Sequence, residues 1–282
     1  MFTLAKRNIK LHFKDKSAVL FSFLSVFITL GLYILFLKDT ISSKELLDQD
    51  ILTHSWMISG LVAVATVTTT LGMLQRMILD KTDKIKKDFD SSPIKKWQVT
   101  GGYILSTYVV GVMMSCMTFL CGMLYVKSAG GDFLNLESNL KVMGIILLAV
   151  FSSSAMLVFI VSFFKSGSAF STASTIIGTL IGFLVGTYIP IGALPSFAQN
   201  IIKIFPPAHA GRLLREVIMV KPLSHSFKGI PSEALSEYKK FMGIVFVHDE
   251  KQISALVSIS ILAISGMVFY GLGIWNMARK NK

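Results

Sequence analysis

Residues 75–102, QRMILDKTDKIKKDFDSSPIKKWQVTGG, separate two long uncharged runs of the chain. Arg76, Lys81, Lys84, Lys86, Lys87, Lys95 and Lys96 stand here against Asp80, Asp83, Asp88 and Asp90. A short basic loop between two apolar spans marks the cytoplasmic side, because Lys and Arg are retained there during insertion. The loop is also patterned. Met77, Ile78, Ile85 and Phe89 are apolar with charges between them, and Ser91-Ser92-Pro93 ends any helix. It reads as a short helix on the cytoplasmic surface, available to a partner. A solvated turn between two spans has the same composition.

Working outward, the totals agree with a membrane setting. Of 282 residues, 52% are hydrophobic and only 16% charged, against about 25% charged in a soluble domain. The net charge of +12 is gathered in short segments beside apolar runs, which suits orientation and anionic headgroups rather than nucleic acid. Cys116 and Cys121 lie in an apolar run and read as buried thiols, without a disulfide framework or metal motif. The five histidines have no zinc-site spacing.

Residues 1–16 place Phe2, Ala5, Ile9 and Phe13 on one helical side and Lys6, Arg7, Lys10 and Lys14 on the adjacent one. Such a helix lies in the headgroup plane. The apolar run that follows is too long for a signal-peptide core and has no small-x-small site. The predicted spans are 17–37, 56–74, 99–126, 142–164, 169–189 and 253–277, each suited to a hydrocarbon core of about 30 Å. Trp56 is expected at the interface of span 2. Thr66, Thr69 and Thr70 share one side of that span, as tolerated polarity bonded to its own helix or as the lining of a passage. Span 4 carries Ser152, Ser153 and Ser154.

Span 5 contains Gly178, Gly182 and Gly186, four apart, which would let another backbone approach closely, in this chain or in a second copy. The uncharged run continues beyond one span to Ile202, interrupted by Pro190 and Pro195. A short apolar helix dipping back into the outer leaflet is expected there, and residues 191–251 form an external segment. Its helical patches are predicted at 212–220 and 232–242. The cytoplasmic segments hold 16 Lys/Arg and 5 Asp/Glu, the external ones 12 and 11, so both termini are expected inside. The whole chain, 1–282, reads as one all-α integral membrane domain: six transmembrane helices, an interfacial N-terminal helix and external re-entrant helices after span 5.

No predicted span contains Asp, Glu, Lys, Arg or His. Proton-coupled pumps need such groups as relays, and intramembrane hydrolases need a base or metal ligand. The phosphate-cradling pattern G-x-x-x-x-G-K-[ST] is missing too. Energy for any active movement would come from another polypeptide.

Four features together resemble the membrane subunits of type 2 ABC exporters (the ABC-2 family) over nearly the whole chain. They are the entry helix MFTLAKRNIKLHFKDKSAVLF, the loop LDKTDKIKKDFDSSPIKKWQVTGGYIL, the exit IPIGALPSF of span 5, and IFPPAHAGRLLREV after it. The resemblance implies six spans, a separate ATPase subunit that carries ATP and Mg, and two permease copies, identical or paralogous. This chain would bind no cofactor or metal and have no catalytic residue. The first cytoplasmic loop would supply a coupling helix at about 80–90, with Asp80, Asp83, Ile85, Lys86, Asp88 and Phe89 facing the ATPase and Ile85 and Phe89 as apolar anchors. Family members often carry an acid near the end of span 2, where this chain has Gln75. In the family the pathway lies between the two copies near spans 2 and 5, which implies lining by Thr66, Thr69 and Thr70 and a span 5 ladder facing the second copy. The expectation is therefore an export permease for an amphipathic or hydrophobic substrate (drug, antimicrobial peptide or lipid-like) in a bacterial cell membrane, surrounded by lipid and free of nucleic acid. The alternative is a non-transport sensor or immunity protein that binds an amphipathic ligand.

Overall fold

The computed structural model describes residues 1–16, 19–20, 31, 48–82, 85, 94–164, 166–248 and 251–279. The helices are α1 Phe2–Lys14, α2 Gln49–Thr82, α3 Lys96–Ser128, α4 Leu136–Val161 and α5 Gly167–Leu184, then α6 Ser196–Ile204, α7 Pro206–Ile218, α8 Val220–Ser226, α9 Ser232–Phe241 and α10 Ala255–Arg279. A single 3-10 turn covers Ile191–Ala193, and Val247–His248 (β1) pairs antiparallel with Lys251–Gln252 (β2). Among the described residues, five helices are long and apolar enough to cross a membrane: α2, α3, α4, α5 and α10. They match predicted spans 2–6. Span 1, at 17–37, lies outside the described residues apart from three isolated positions.

Helix α2 is the centre. Its apolar window is 89% buried, against 17% for α5 and for α10, so α2 is wrapped by protein while the other two face outward. It packs against α3, α4, α5 and α7. At 34 residues it is also much longer than span 2. A rise of 1.5 Å per residue gives roughly 51 Å, well beyond a hydrocarbon core of about 30 Å. Hydropathy locates where a helix is apolar; it does not locate where the backbone stops. Nothing between Gln49 and Thr82 breaks a helix, and Asp50 in the first turn suits the positive end of the helix dipole. The amphipathic loop read from Met77 onward therefore begins as a continuation of α2, and Ile78 is in the core.

Helices α4 and α10 are joined by polar contacts at three levels. Ser152 and Ser265 hydroxyls lie 2.8 Å apart, Ser154 and Tyr270 hydroxyls 2.7 Å apart, and Asn276 Nδ2 donates to Ser162 Oγ at 2.6 Å. Gly266 and Gly273 bring the helices close, against Phe151 and against Val158 and Phe159. The serine group at 152–154 is thus a helix–helix seam. Cys121, expected buried, is exposed, and Cys116 is half-buried.

The segment after span 5 enters the bundle. Helix α6 leaves Phe197, Ile201 and Ile204 uncovered on its outer side. Pro206 and Pro207 then open α7, where a missing N–H costs nothing, so the helix starts six residues before the predicted patch at 212. Helix α7 packs against α2, α4 and α10. Trp56, expected at an interface, is fully buried there, and its Nε1–H donates to Met242 O at 2.7 Å.

Two substitutions test the α4–α10 seam. Ser154→Ala and Tyr270→Phe in a double-mutant cycle should couple by about 0.6 kcal/mol, the usual size of an interhelical hydrogen bond in a membrane. Gly266→Leu, which drives a side chain into the Phe151 ring, should cost about 1–3 kcal/mol and lower the unfolding midpoint in detergent.

Candidate functional site

The basic end of the bundle is organised by one buried carboxylate. Asp80, in the last turns of α2, is 2% exposed. Its Oδ2 accepts from Arg7 Nη1 at 2.9 Å and from the Tyr103 hydroxyl at 2.7 Å, and its Oδ1 lies 3.6 Å from Arg76 Nε. Arg7 also donates to Asn8 Oδ1 at 3.0 Å, and fully buried Asn8 reaches Ser106 Oγ at 3.4 Å. Three chain segments meet here: α1 brings Arg7 and Asn8, α2 brings Asp80, and α3 brings Tyr103 and Ser106. The hydrogen bond that Arg7 donates to Asp80 holds the Arg7 pKa above its ordinary value although burial pulls the other way.

The sequence allows this approach through glycine. A Cβ at Gly102 would meet Leu4 at 2.8 Å, and one at Gly101 would meet Met1 at 2.8 Å. Helix α1 therefore crosses α3 at Gly101-Gly102. Asp80, expected on a face offered to a partner, is turned inward instead. Gln75, at the position where an acid is common in the resembling family, is exposed, and Asp80 supplies the buried carboxylate five residues later. Ile85 is helical and half-buried. Asp83, Lys86, Asp88 and Phe89 lie outside the described residues.

The threonine stripe is internal to the subunit. Thr66, Thr69 and Thr70 are 0%, 3% and 0% exposed. Thr66 donates to Ala63 O, Thr69 to Ala65 O, and Thr70 lies within 2.8 Å of both Thr66 O and Val67 O. Thr66 also meets the Ser153 hydroxyl at 3.2 Å, and a Cβ at Gly111 of α3 would sit 2.6 Å from Thr70 Cγ2. These hydroxyls bond their own helix and fill contacts with α3 and α4; within one copy they line no passage.

The glycine ladder divides into three roles. Around Gly178 there is open space. Gly182 is covered from within the chain by the Tyr188 ring. Gly186 lies past the helix end in the left-handed region, at φ +67°. There Thr187 N–H bonds Gly182 O at 2.8 Å and Gly186 N–H bonds Phe183 O at 2.9 Å, the double closure that ends a helix on glycine. Spacing alone could not reveal this, because the helix ends at Leu184 rather than at 189.

Sequence reasoning missed the cations on α7. Arg212 and Arg215 are fully buried, and so is His209. Arg215 donates to Gly186 O at 2.6 Å and to Val185 O at 3.3 Å, and its guanidinium lies 4.9 Å from the centre of the Trp56 ring. Carbonyls at the negative end of α5 and an aromatic face thus stand in for a carboxylate. Arg212 donates to Ser258 Oγ at 2.7 Å and pairs with Glu216 at 3.1 Å. His209 Nε2 faces Lys203 O at 2.8 Å, so it carries the proton and Nδ1 accepts from Ser258, 3.0 Å away. The available signal was the pair of arginines three apart behind Pro206-Pro207.

Two measurements check the basic end. Arg7→Ala should free α1 at a cost of about 1–3 kcal/mol, less than the 3–5 of a wholly buried pair because Arg7 is partly exposed; cysteine labelling at Ala5→Cys should rise accordingly. His12 lies beside Arg76 and Gln75, and burial lowers its pKa. Its neutral form is therefore favoured when α1 is docked. Docking should be unaffected above about pH 6.5 and weaken as pH falls below it, read by the same labelling.

No curated protein matches the chain in sequence comparison. The family model described as "ABC-2 family transporter protein" matches residues 16–275. With five helices among the described residues long and apolar enough to cross a membrane, and with that match, the chain belongs to the ABC-2 family of transporter proteins and is a membrane permease subunit of an ABC transporter.

Proposed function

We propose that this permease exports an amphipathic or hydrophobic substrate, driven by a separate ATPase subunit that carries ATP and Mg, with two permease copies per complex. The observation that carries the reading is the Arg7–Asp80–Tyr103 cluster. It ties α1 and α3 to the end of α2 that leads into residues 83–93. Force applied to those residues by an ATPase would reach three elements at once, and packed helices move as bodies rather than deform.

Residues 83–90 are the proposed coupling segment, with Asp83, Ile85, Lys86, Asp88 and Phe89 toward the ATPase and Ile85 and Phe89 as its apolar anchors. Asp80 leaves that set and becomes its support. The basic ends then lie in the cytoplasm. The second copy is proposed to meet α5 along its exposed side, where Ile176, Leu180 and Phe183 stand at i, i+4 and i+7. A pathway formed between copies would be walled by apolar side chains, which supports an amphipathic cargo such as a drug, a lipid-like molecule or an antimicrobial peptide.

Phe89→Asp or Ile85→Asp should release the ATPase in a pull-down while the permease stays inserted. An ATPase that still copurifies and turns over normally would refute the coupling segment. In reconstituted complex, amphipathic peptides or lipophilic drugs should stimulate ATP turnover more than sugars of similar size.

A further inference from the structure

A groove of about 560 Å³ opens between the N-terminal ends of α4 and α10, with α7 as its floor. The two helices are closely joined at Ser152–Ser265 and beyond, but α7 wedges them apart nearer their starts. Ile145 and Leu148 of α4 form one wall, Ile259 of α10 the other, and Val217 of α7 the floor. The rim is charged with both signs: Lys141 on α4 and Glu216 on α7.

Each rim charge has one neighbour that leaves it capacity. Lys141 pairs with Glu137 at 2.6 Å, and both remain exposed to solvent. Glu216 pairs through one oxygen with buried Arg212 at 3.1 Å and stays 38% exposed. The four groups sum to zero charge, so the rim does not select a net anion. It offers an ammonium and a carboxylate lining one groove whose other walls are largely apolar. That arrangement is complementary to a headgroup carrying a phosphate and a primary amine, with an acyl chain beneath it. The volume falls within the range of pockets that hold discrete small molecules, about 300–1,000 Å³. The groove lies where α4 and α10 begin, the ends opposite the basic loop, which the charge rule puts in the outer leaflet.

We infer that this groove is a binding site for one phospholipid of the outer leaflet with a zwitterionic, amine-bearing headgroup, its phosphate at Lys141, its amine at Glu216 and an acyl chain between Ile145, Leu148 and Ile259. The lipid is a resident of the fold, and the site is separate from the route of any cargo. It seals the gap between α4 and α10 beside the Arg212–Glu216 pair.

Gly144 makes the site testable without disturbing its charges. It lines the groove, and a Cβ built there meets nothing within 4 Å. Gly144→Leu would therefore fill the slot, and leucine favours a helix more than glycine does. Full-length protein in detergent is exposed to phosphatidylethanolamine or phosphatidylglycerol of matched chains, and bound lipid per copy is counted by native mass spectrometry. Wild type should retain one phosphatidylethanolamine per copy, with about a tenfold preference over phosphatidylglycerol. Gly144→Leu should abolish retention with unchanged helicity, and Lys141→Ala should weaken it. Equal retention of both lipids, or retention untouched by Gly144→Leu, overturns the inference. So does a Gly144→Leu protein whose only change is a shift from dimer to monomer, which would mean that a second copy covers the groove.

Discussion

A polar group held between membrane helices can be satisfied only by the protein around it, because no water reaches it to share the work. Much of the interior is arranged around that constraint. Thr66, Thr69 and Thr70 turn back onto their own helix, Ser152, Ser154 and Ser162 bond across to α10, and Arg215 takes the last carbonyls of α5. Several polar side chains of this bundle connect helices that would otherwise have only van der Waals contact to hold them. Glycine serves the same end by a different route, at Gly102, Gly111 and Gly266, where it removes the side chain that would keep two helices apart.

The two ends of the bundle use charge differently. At the basic end, Asp80 is a buried carboxylate that accepts from Arg7 of α1 and Tyr103 of α3, with Arg76 of its own helix 3.6 Å away. In α7 the buried ions are cations, and only Arg212 has a carboxylate. Arg215 relies on dipoles and on the Trp56 ring. A guanidinium suits this role better than an ammonium, since one Nη reaches two carbonyls while its flat face lies on an indole. Both clusters fix where a non-spanning helix sits: α1 beside α3, and α7 inside the bundle.

How far this was legible in the sequence depends on what sets each feature. The apolar middles of α2, α3, α4, α5 and α10 could be read directly, because transfer to hydrocarbon depends on composition over about twenty residues. Helix ends could not: the apolar stretch 56–74 predicted as span 2 lies inside a helix that runs Gln49–Thr82. The burial of α7 is not legible because His209, Arg212 and Arg215 argue against burial one at a time. Their burial depends on partners at Val185, Gly186 and Ser258 that are far away in the chain. The glycine ladder failed for a related reason. Its period assumed a helix through Gly186, whereas Gly186 is the residue that ends it. The threonine stripe had two readings of equal pattern, and only the packing of α3 and α4 over it decided between them.

Trp56 touches both Arg215 on α7 and the carbonyl of Met242 beyond α9, near the opposite end of the helix that carries Asp80. One uninterrupted rod is thus gripped at two distant points, by α1 and α3 at its foot and by the α7–α9 region at its head. Packed along its middle by α3 and α4 as well, this helix joins the two grips through one continuous backbone, so the foot and the head of the bundle share a single structural member.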